Sequence, residues 1–573
     1  MTLFAVTPGA MAQKVSDEIL SSLREELSGK MVSRTAGIGR SGELPEEEFL
    51  VQYENPPDED AIRRSGSRAL LIRLHRETST AVVRMTAREA MRLADDPNVV
   101  YISPDREVRS SGKLDYSLAT VNGTKAHDYG YDGRGIGIAI IDSGVDGGQY
   151  DLQDASCAKS RVVYKEDFVT WEPSGWDGYG HGTHVAGIAA GNGICSAQRN
   201  GANYEGLPGI APQASIIALR ALDSRGVGRD SSVIAAIDRA IALKSTYRIR
   251  VINLSLGRVV KESFTKDPLC QAVERAWKAG IVVVVAAGNN GRDNSMGTYG
   301  YSTITSPGND PFVITVGAMR DMKTASKSDD RIATFSSKGP TLIDQYVKPD
   351  LMAPGGEINS VKPWGSYLQG AYPSNTIPGD WAAGVPYESY FFLSGTSMAA
   401  PVVSGAAALL LQKDSSLTPD QVKARLMKTA SKSIAPLSTW KDPATGKTYA
   451  AVADLFTVGA GYLDIWAALS STEKIGSTQS AKSPRAVRKD GAITLVNDAT
   501  NTSGQSVVWG TNVIWGTNVV WGTNVIWGTN VIWGTSVVWS TSVLQGYNVI
   551  WGTNVIWGTA APFAESTSVA GEK

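Results

Sequence analysis

A chain of 573 residues is too long for one compact core, and its length predicts roughly two to four domains. A hydrophobic fraction of 42% with 19% charged residues is that of a globular protein, and a net charge of -1 carries no electrostatic sign of nucleic acid or an anionic membrane. No run approaches the roughly 18 apolar residues of a membrane helix, and three cysteines make neither a disulfide scaffold nor a metal-ligand spacing. Cys157 and Cys195 are one pair that could oxidise outside the cell, leaving an odd thiol.

Residues 1–12 end in an A-x-A pattern like an export-signal cleavage site, without a basic start or a long apolar centre. They read as the remnant of a signal peptide or as a loose terminus, and we take the former. Residues 13–110 are charged, with short elements. Lys14 to Lys30 has a helical pattern. Glu48–Tyr53, Ala69–Leu74, Thr80–Met85 and Val99–Ser103 read as strands, and Asp58–Arg64 and Ala87–Asp95 as helices. The order β-α-β-β-α-β is that of a small ferredoxin-like α+β domain.

From about Gly135 to Leu469 the character changes. Continuous apolar strands (Ile136–Ile141, Ser215–Leu219, Arg250–Leu254, Ile281–Val285, Phe312–Val316) alternate with helical stretches such as Val233–Lys244 and Pro268–Ala279. That alternation predicts an α/β domain, residues 111–470, with a central parallel sheet covered on both faces. Functional groups in such sheets gather at the carboxyl ends of the strands.

Four strings fall at such places. Ile140-Ile141-Asp142-Ser143-Gly144 ends the first strand; a carboxylate there can orient an imidazole or simply cap the turn. Gly180-His181-Gly182-Thr183-His184-Val185-Ala186-Gly187 opens a helix, with His181 set between glycines that let other groups approach. His184, one turn on, packs within that helix. A metal pair is the rival reading, but H-x-x-H lacks the glutamate and the i, i+4 spacing of H-E-x-x-H. Ala286-Ala287-Gly288-Asn289-Asn290-Gly291 ends another strand, and the Asn289 amide can donate to an oxyanion or make an Asn-Gly turn. Ser394-Gly395-Thr396-Ser397-Met398-Ala399-Ala400-Pro401 leads into an apolar helix, with Pro401 expected in its first turn. Ser397 then lies at a helix N-terminus, where unpaired N–H groups favour negative charge.

Together these strings resemble the signatures of the subtilisin-like serine proteases, in the family's chain order Asp, His, Asn, Ser. The resemblance runs through roughly Gly135 to Leu469. It implies a three-layer subtilisin-like domain in which Asp142 orients His181, His181 takes the proton of Ser397, and Asn289 with the Ser397 N–H holds the oxyanion. His181 and Met398-Ala-Ala-Pro401 separate the chain from relatives that pair serine with glutamate. The resemblance places a peptide substrate between Ser255-Leu256-Gly257 on one edge and Gly226-Val227-Gly228 on the other, paired as an added strand. That implies broad specificity with an apolar or medium-sized P1 residue. Thr305 falls near the S1 floor by a match of Ser306-Pro307-Gly308. No cofactor is needed for the chemistry. Asp151 stands where the family often has a calcium ligand, which leaves room for a structural calcium, but no metal site is assigned.

By the same resemblance residues 13–110 are a propeptide, an intramolecular inhibitor cut away between Val108 and Tyr116, with a permanent regulatory domain as the rival reading, and the enzyme is secreted or held at the cell surface. The insertion 355–393 before Ser397 is a lid, a substrate-side loop or decoration. Residues 471–506 read as a linker. Residues 507–560 are a hexapeptide repeat, V-[VI]-W-G-T-[NS], marked by Trp509, Trp515, Trp521, Trp527, Trp533, Trp539, Trp551 and Trp557. Its even period puts every tryptophan on one face of an extended strand. Stacked short strands or a solenoid, disorder, or an aromatic face for polysaccharide or cell envelope all remain open; this tryptophan tail lies outside the chemistry, and 561–573 is a short tail. The alternative function is a surface-anchored binding protein whose repeats do the work and whose protease-like domain is a scaffold. A scaffold is expected to lose a catalytic group, whereas Asp142, His181, Asn289 and Ser397 are all present.

Overall fold

The computed structural model describes residues 14–15, 47–55, 69–75, 79–104, 115–173, 176–200, 206–377, 389–443, 445–472, 475, 480–489, 492–496 and 563–564. The chain divides into two compact units, Met1–Ser111 and Gly112–Lys573.

In the first unit, strands β1 (Glu47–Tyr53), β2 (Leu70–His75), β3 (Thr80–Met85) and β4 (Val99–Pro104) form an antiparallel sheet in the order β2-β3-β1-β4. The first and third strands are central, as the β-α-β-β-α-β motif requires. Helix α1 (Ala87–Leu93) opens with a capping box: the Glu89 N–H donates to Thr86 Oγ1 at 3.3 Å and the Thr86 N–H to Glu89 Oε2 at 2.9 Å. Such a cap stabilises by about 0.5–2 kcal/mol. Phe49, Val51, Val83, Met85, Leu93 and Ile102 close the core. Of the stretch expected as a first helix, Lys14 and Val15 are not helical, and Val15 bridges Ile102. Its remainder, and the Asp58–Arg64 helix, lie outside the described residues.

The second unit is built on a sheet of β5 (Gly137–Asp142), β6 (Val162–Asp167), β7 (Ser215–Arg220), β8 (Ile249–Leu254), β10 (Val282–Ala286), β11 (Ile314–Arg320), β12 (Arg331–Ile332) and β13 (Leu351–Pro354). The order is β12-β11-β10-β8-β5-β7-β6, with β13 beside β11, and every pair but β11–β12 is parallel. The short strand β9 (Leu256–Gly257) follows β8 directly. Strands β5 and β10 are buried along their whole length, which is why they read as unbroken apolar runs. Strand β6 was not expected: at the sheet edge its burial alternates, so Tyr164, Glu166 and their neighbours show no apolar run.

Helices α2 (His181–Ala190) and α5 (Thr396–Lys413) pack together on the sheet, and α3 (Asp230–Ala242) and α4 (Pro268–Lys278) pack together on it separately. The sheet thus lies between two helical layers. Helix α5 is buried from Thr396 to Leu411 and runs against β8, β10 and β11; a helix apolar on all sides has no other stable place. Pro401 is not in its first turn but in its interior. Its missing N–H would have bonded the Ser397 carbonyl, four residues earlier. Ser255 Oγ donates to that carbonyl instead, at 2.8 Å.

The insertion is no loose decoration where it is described. Its ends, β14 (Ile358–Val361) and β15 (Tyr390–Leu393), pair antiparallel. Ser360 Oγ donates to the His184 carbonyl, and the Tyr367 and Leu368 N–H groups donate to the carbonyls of Gly178 and Tyr179. It is therefore fastened along the helix and loop that carry His181. The stretch expected as a linker also differs: Arg485–Lys489 and Ala492–Val496 form a hairpin. Ser483 Oγ donates to Asp350 Oδ1 at 2.6 Å, where Lys348 and Lys423 also meet that carboxylate at 2.7 and 3.0 Å, with all three charged side chains fully buried. Residues 507–560, with their tryptophans, lie outside the described residues. Cys157 and Cys195 form a disulfide, and Cys270 is free and buried. Among the described residues no helix is long and apolar enough to cross a membrane.

Candidate active site

The carboxyl end of β5 delivers Asp142 and the first turn of α2 delivers His181. Asp142 Oδ1 meets His181 Nδ1 at 2.8 Å, with both side chains fully buried. The Ser143 N–H donates to the same oxygen at 2.7 Å. A carboxylate oxygen accepts, so a proton on His181 Nδ1 satisfies this contact; Nε2 is buried without a hydrogen-bond partner among the described residues. Gly182 makes the approach possible, since a Cβ there would lie 2.1 Å from the Gly144 carbonyl oxygen and 3.0 Å from Asp142 Cβ. Gly180, at φ 97°, occupies the left-handed region, and a Cβ on it would stand 2.4 Å from Ser366 Oγ of the insertion.

Ser397 is the second residue of α5. Its Oγ donates to the Ser255 carbonyl at 3.1 Å rather than to His181 Nε2. Catalytic hydrogen bonds are often made only once substrate is bound. A chain of contacts holds this corner: Ser404 Oγ to Asn253 Oδ1 (2.8 Å), Asn253 Nδ2 to Ser255 Oγ (2.9 Å), and Ser255 Oγ to the Ser397 carbonyl. Asn289, just past β10, accepts on Oδ1 from the Thr396 N–H at 2.9 Å and from Thr396 Oγ1 at 3.2 Å. A backbone donor on Oδ1 fixes which end of the amide is oxygen. The amide nitrogen is then the end turned away from Thr396.

Of the expected substrate edges, Ser255-Leu256-Gly257 is joined directly to Ser397. Gly226-Val227-Gly228 is the tip of a turn closed by Asp223, whose N–H donates to the Val227 carbonyl. Gly226 lies against the Tyr179 ring, which is centred 6.2 Å from that of His181. Thr305 donates through its N–H to the Ala287 carbonyl, and Ser306 pairs with Arg258, so the loop of Thr305 spans from the Asn289 strand to the Gly257 edge. His184 meets the Phe391 carbonyl through Nε2 at 2.9 Å, and burial pushes its pKa down to about 3. It is a neutral packing residue.

Asp151 does not suit a cation. Its Oδ1 accepts from the Ser196 N–H at 2.8 Å and its Oδ2 from Ser196 Oγ and the Tyr390 hydroxyl, both at 2.7 Å. The Arg161 guanidinium holds its carbonyl at 2.9 Å. Hydrogen-bond donors and a fixed positive charge stand where calcium needs oxygen acceptors. Among the described residues no cluster of three or more His, Cys, Asp or Glu side chains could hold a metal.

Asp177 was missed by the sequence reading. It accepts from Ser143 Oγ (2.8 Å), the Gly180 N–H (2.7 Å), and the Thr183 N–H and Oγ1 (2.8 and 2.6 Å). It thereby ties the Asp142 turn to the head of the His181 helix. Burial pushes its pKa up to about 6, even though these four donors favour the anion. With the folded value above the unfolded one, the stability this group contributes is fully present below about pH 4 and is lost as pH rises through about 6. Asp177→Asn puts an amide N–H against the donors of Thr183, at a cost of about 1–3 kcal/mol. In urea melts on a Ser397→Ala background, the parent should be more stable than the Asp177→Asn chain, with a gap that narrows from pH 4 to 7. A gap that widens would contradict the burial argument.

A parallel α/β fold that carries a buried carboxylate–imidazole pair and a serine at the head of a buried helix is of the kind found in serine-type hydrolases. The family model of the subtilases matches residues 133–461, more than half of the sequence. This chain belongs to the subtilase family. It is 37% identical over 315 residues to the serine protease AprX of Bacillus subtilis (strain 168), a match spanning 54% of this chain and 63% of that one. It is 35% identical over 355 residues to subtilisin E of the same organism (61% of this chain, 75% of that protein), and 36% over 315 residues to subtilisin DY of Bacillus licheniformis (55% and 90%).

Proposed function

We propose that the chain is an exported serine endopeptidase made as an inactive precursor. Ser397 Oγ turns from the Ser255 carbonyl to His181 Nε2, gives up its proton there and attacks the scissile carbonyl. Asp142 holds the ring in the tautomer that leaves Nε2 basic and stabilises the imidazolium that forms. The Asn289 amide and the Ser397 N–H receive the oxyanion, where preorganised donors act without reorganising water. His181 returns the proton to the leaving amine, and water hydrolyses the acyl-enzyme. The chemistry needs no cofactor. Backbone pairing with Ser255-Leu256-Gly257 and Gly226-Val227-Gly228 reads main chain rather than side chains, which gives broad specificity.

The first unit serves as propeptide. A parallel sheet of high contact order folds slowly, and a preformed partner sheet would speed it. Its removal between Val108 and Tyr116 frees the enzyme. The observation that supports the reading is the buried 2.8 Å Asp142–His181 contact, in a chain that also carries Ser397 at the head of a buried helix. A fluorophosphonate probe should esterify Ser397 alone, read by intact mass and peptide mapping, and His181→Ala should abolish the labelling. Labelling that survives His181→Ala, or that lands on another serine, would defeat it.

A further inference from the structure

Near its C-terminus the chain returns to the substrate edge. Phe563–Ala564 pairs antiparallel with β9, Phe563 opposite Gly257 and Ala564 opposite Leu256. Among the described residues β9 has no other strand partner, so this segment takes up the ladder groups that an exposed edge leaves open. The polarity matters. Ser255, at the start of this edge, has its carbonyl 3.1 Å from Ser397 Oγ, and Gly257 lies at the far end. Running from Phe563 to Ala564, the tail advances from Gly257 toward Ser255, and so toward the nucleophile. That is the direction in which the residues before a scissile bond must run if their carbonyl ends are to reach Ser397.

The local sequence suits an edge ligand. Ala561-Pro562-Phe563-Ala564 follows directly on the repeats and is apolar throughout. Two residues of pairing are weak in isolation. A segment tethered to the same chain, however, meets its site at an effective concentration that reaches the millimolar range.

We propose that the segment around Phe563–Ala564 is an intramolecular ligand of the substrate edge, which it occupies in competition with peptide substrates. The proposal rests on the endopeptidase reading above for its consequence, though not for the pairing itself. It places restraint of the enzyme at both ends of the chain.

Pairing and consequence are tested separately. Residues directly opposite in an antiparallel ladder have Cα atoms about 4.5–5.5 Å apart, within disulfide range. In the full chain carrying Ser397→Ala, the double substitution Gly257→Cys with Phe563→Cys should give an intramolecular cross-linked peptide on mild oxidation. Gly257→Cys with Thr559→Cys should give far less. No cross-link in the first, or equal cross-linking in both, overturns the proposal whatever the chain's activity. In the active chain, ending the sequence at Ala560 should lower KM for a chromogenic tetrapeptide about three- to tenfold with kcat unchanged. A synthetic peptide of residues 560–565 should then inhibit competitively. Intact mass decides the remaining case: self-cleavage within a few residues of Ala564 supports the proposal, because the edge has then delivered the tail to Ser397. An intact tail with unchanged KM overturns it. If no form of the chain hydrolyses peptides, the endopeptidase reading fails while the cross-link still decides the pairing.

Discussion

Ser397→Ala should leave the chain at full mass, whereas the parent sheds roughly its first hundred residues and cleaves casein. The substitution removes the nucleophilic hydroxyl and keeps the backbone N–H assigned to the oxyanion, and the loss leaves little strain. The hydroxyl donates to the Ser255 carbonyl at 3.1 Å, while the Thr396 and Met398 backbone contacts at the head of α5 do not depend on it. The fall in kcat should be on the order of 10⁶, the size known from subtilisin itself, leaving what the oxyanion donors and binding alone supply. Intact mass and casein hydrolysis, measured side by side, check both halves. If both chains mature alike, another protease does the cutting; if both stay whole and inert, the self-activating reading fails.

Asn289→Ala should cost about 10²–10³ in kcat with KM little changed, again the size known from subtilisin's oxyanion asparagine. An amide that binds the developing oxyanion stabilises the transition state and hardly touches the bound substrate. The alanine also removes the acceptor of the Thr396 N–H, at the head of the helix that carries the nucleophile. Some stability should go with it. Asn289→Asp separates the two effects, because it keeps an oxygen for Thr396 and loses the donor. It should hold its Tm near the parent's while kcat falls at least as far as in the alanine form. A kcat that recovers in the aspartate form would make Asn289 a helix anchor and nothing more.

Legibility followed burial. Strands β5 and β10 were readable because a strand covered on both faces must be apolar throughout, and the groups at their ends were readable because their neighbours are small. Edge strand β6 escaped because half its side chains face outward. Asp177 escaped for another reason. An aspartate four residues before His181 looks like any loop residue, and only folding shows that Ser143, Gly180 and Thr183 converge on it. Asp151 was visible as a residue, but its partners Ser196 and Tyr390 are distant in sequence, so a fit to calcium could be judged only in three dimensions. Pro401 misled for a local reason: proline near a helix start is common, and the rescue of the orphaned Ser397 carbonyl by Ser255 is a tertiary event.

The lysine pair that converges on Asp350 sets where this protein can be trimmed. Ser483 caps that carboxylate, the Pro484 carbonyl accepts from the Val347 N–H, and Ala481 closes over Asp420. A proteolytic nick near residue 470 would peel away these covers and let water into a closed ionic knot. A durable cut must fall beyond Val496, past the hairpin. The hairpin is thereby moored to the body of the domain, where the Ala486 N–H donates to the Gln345 carbonyl at 2.8 Å.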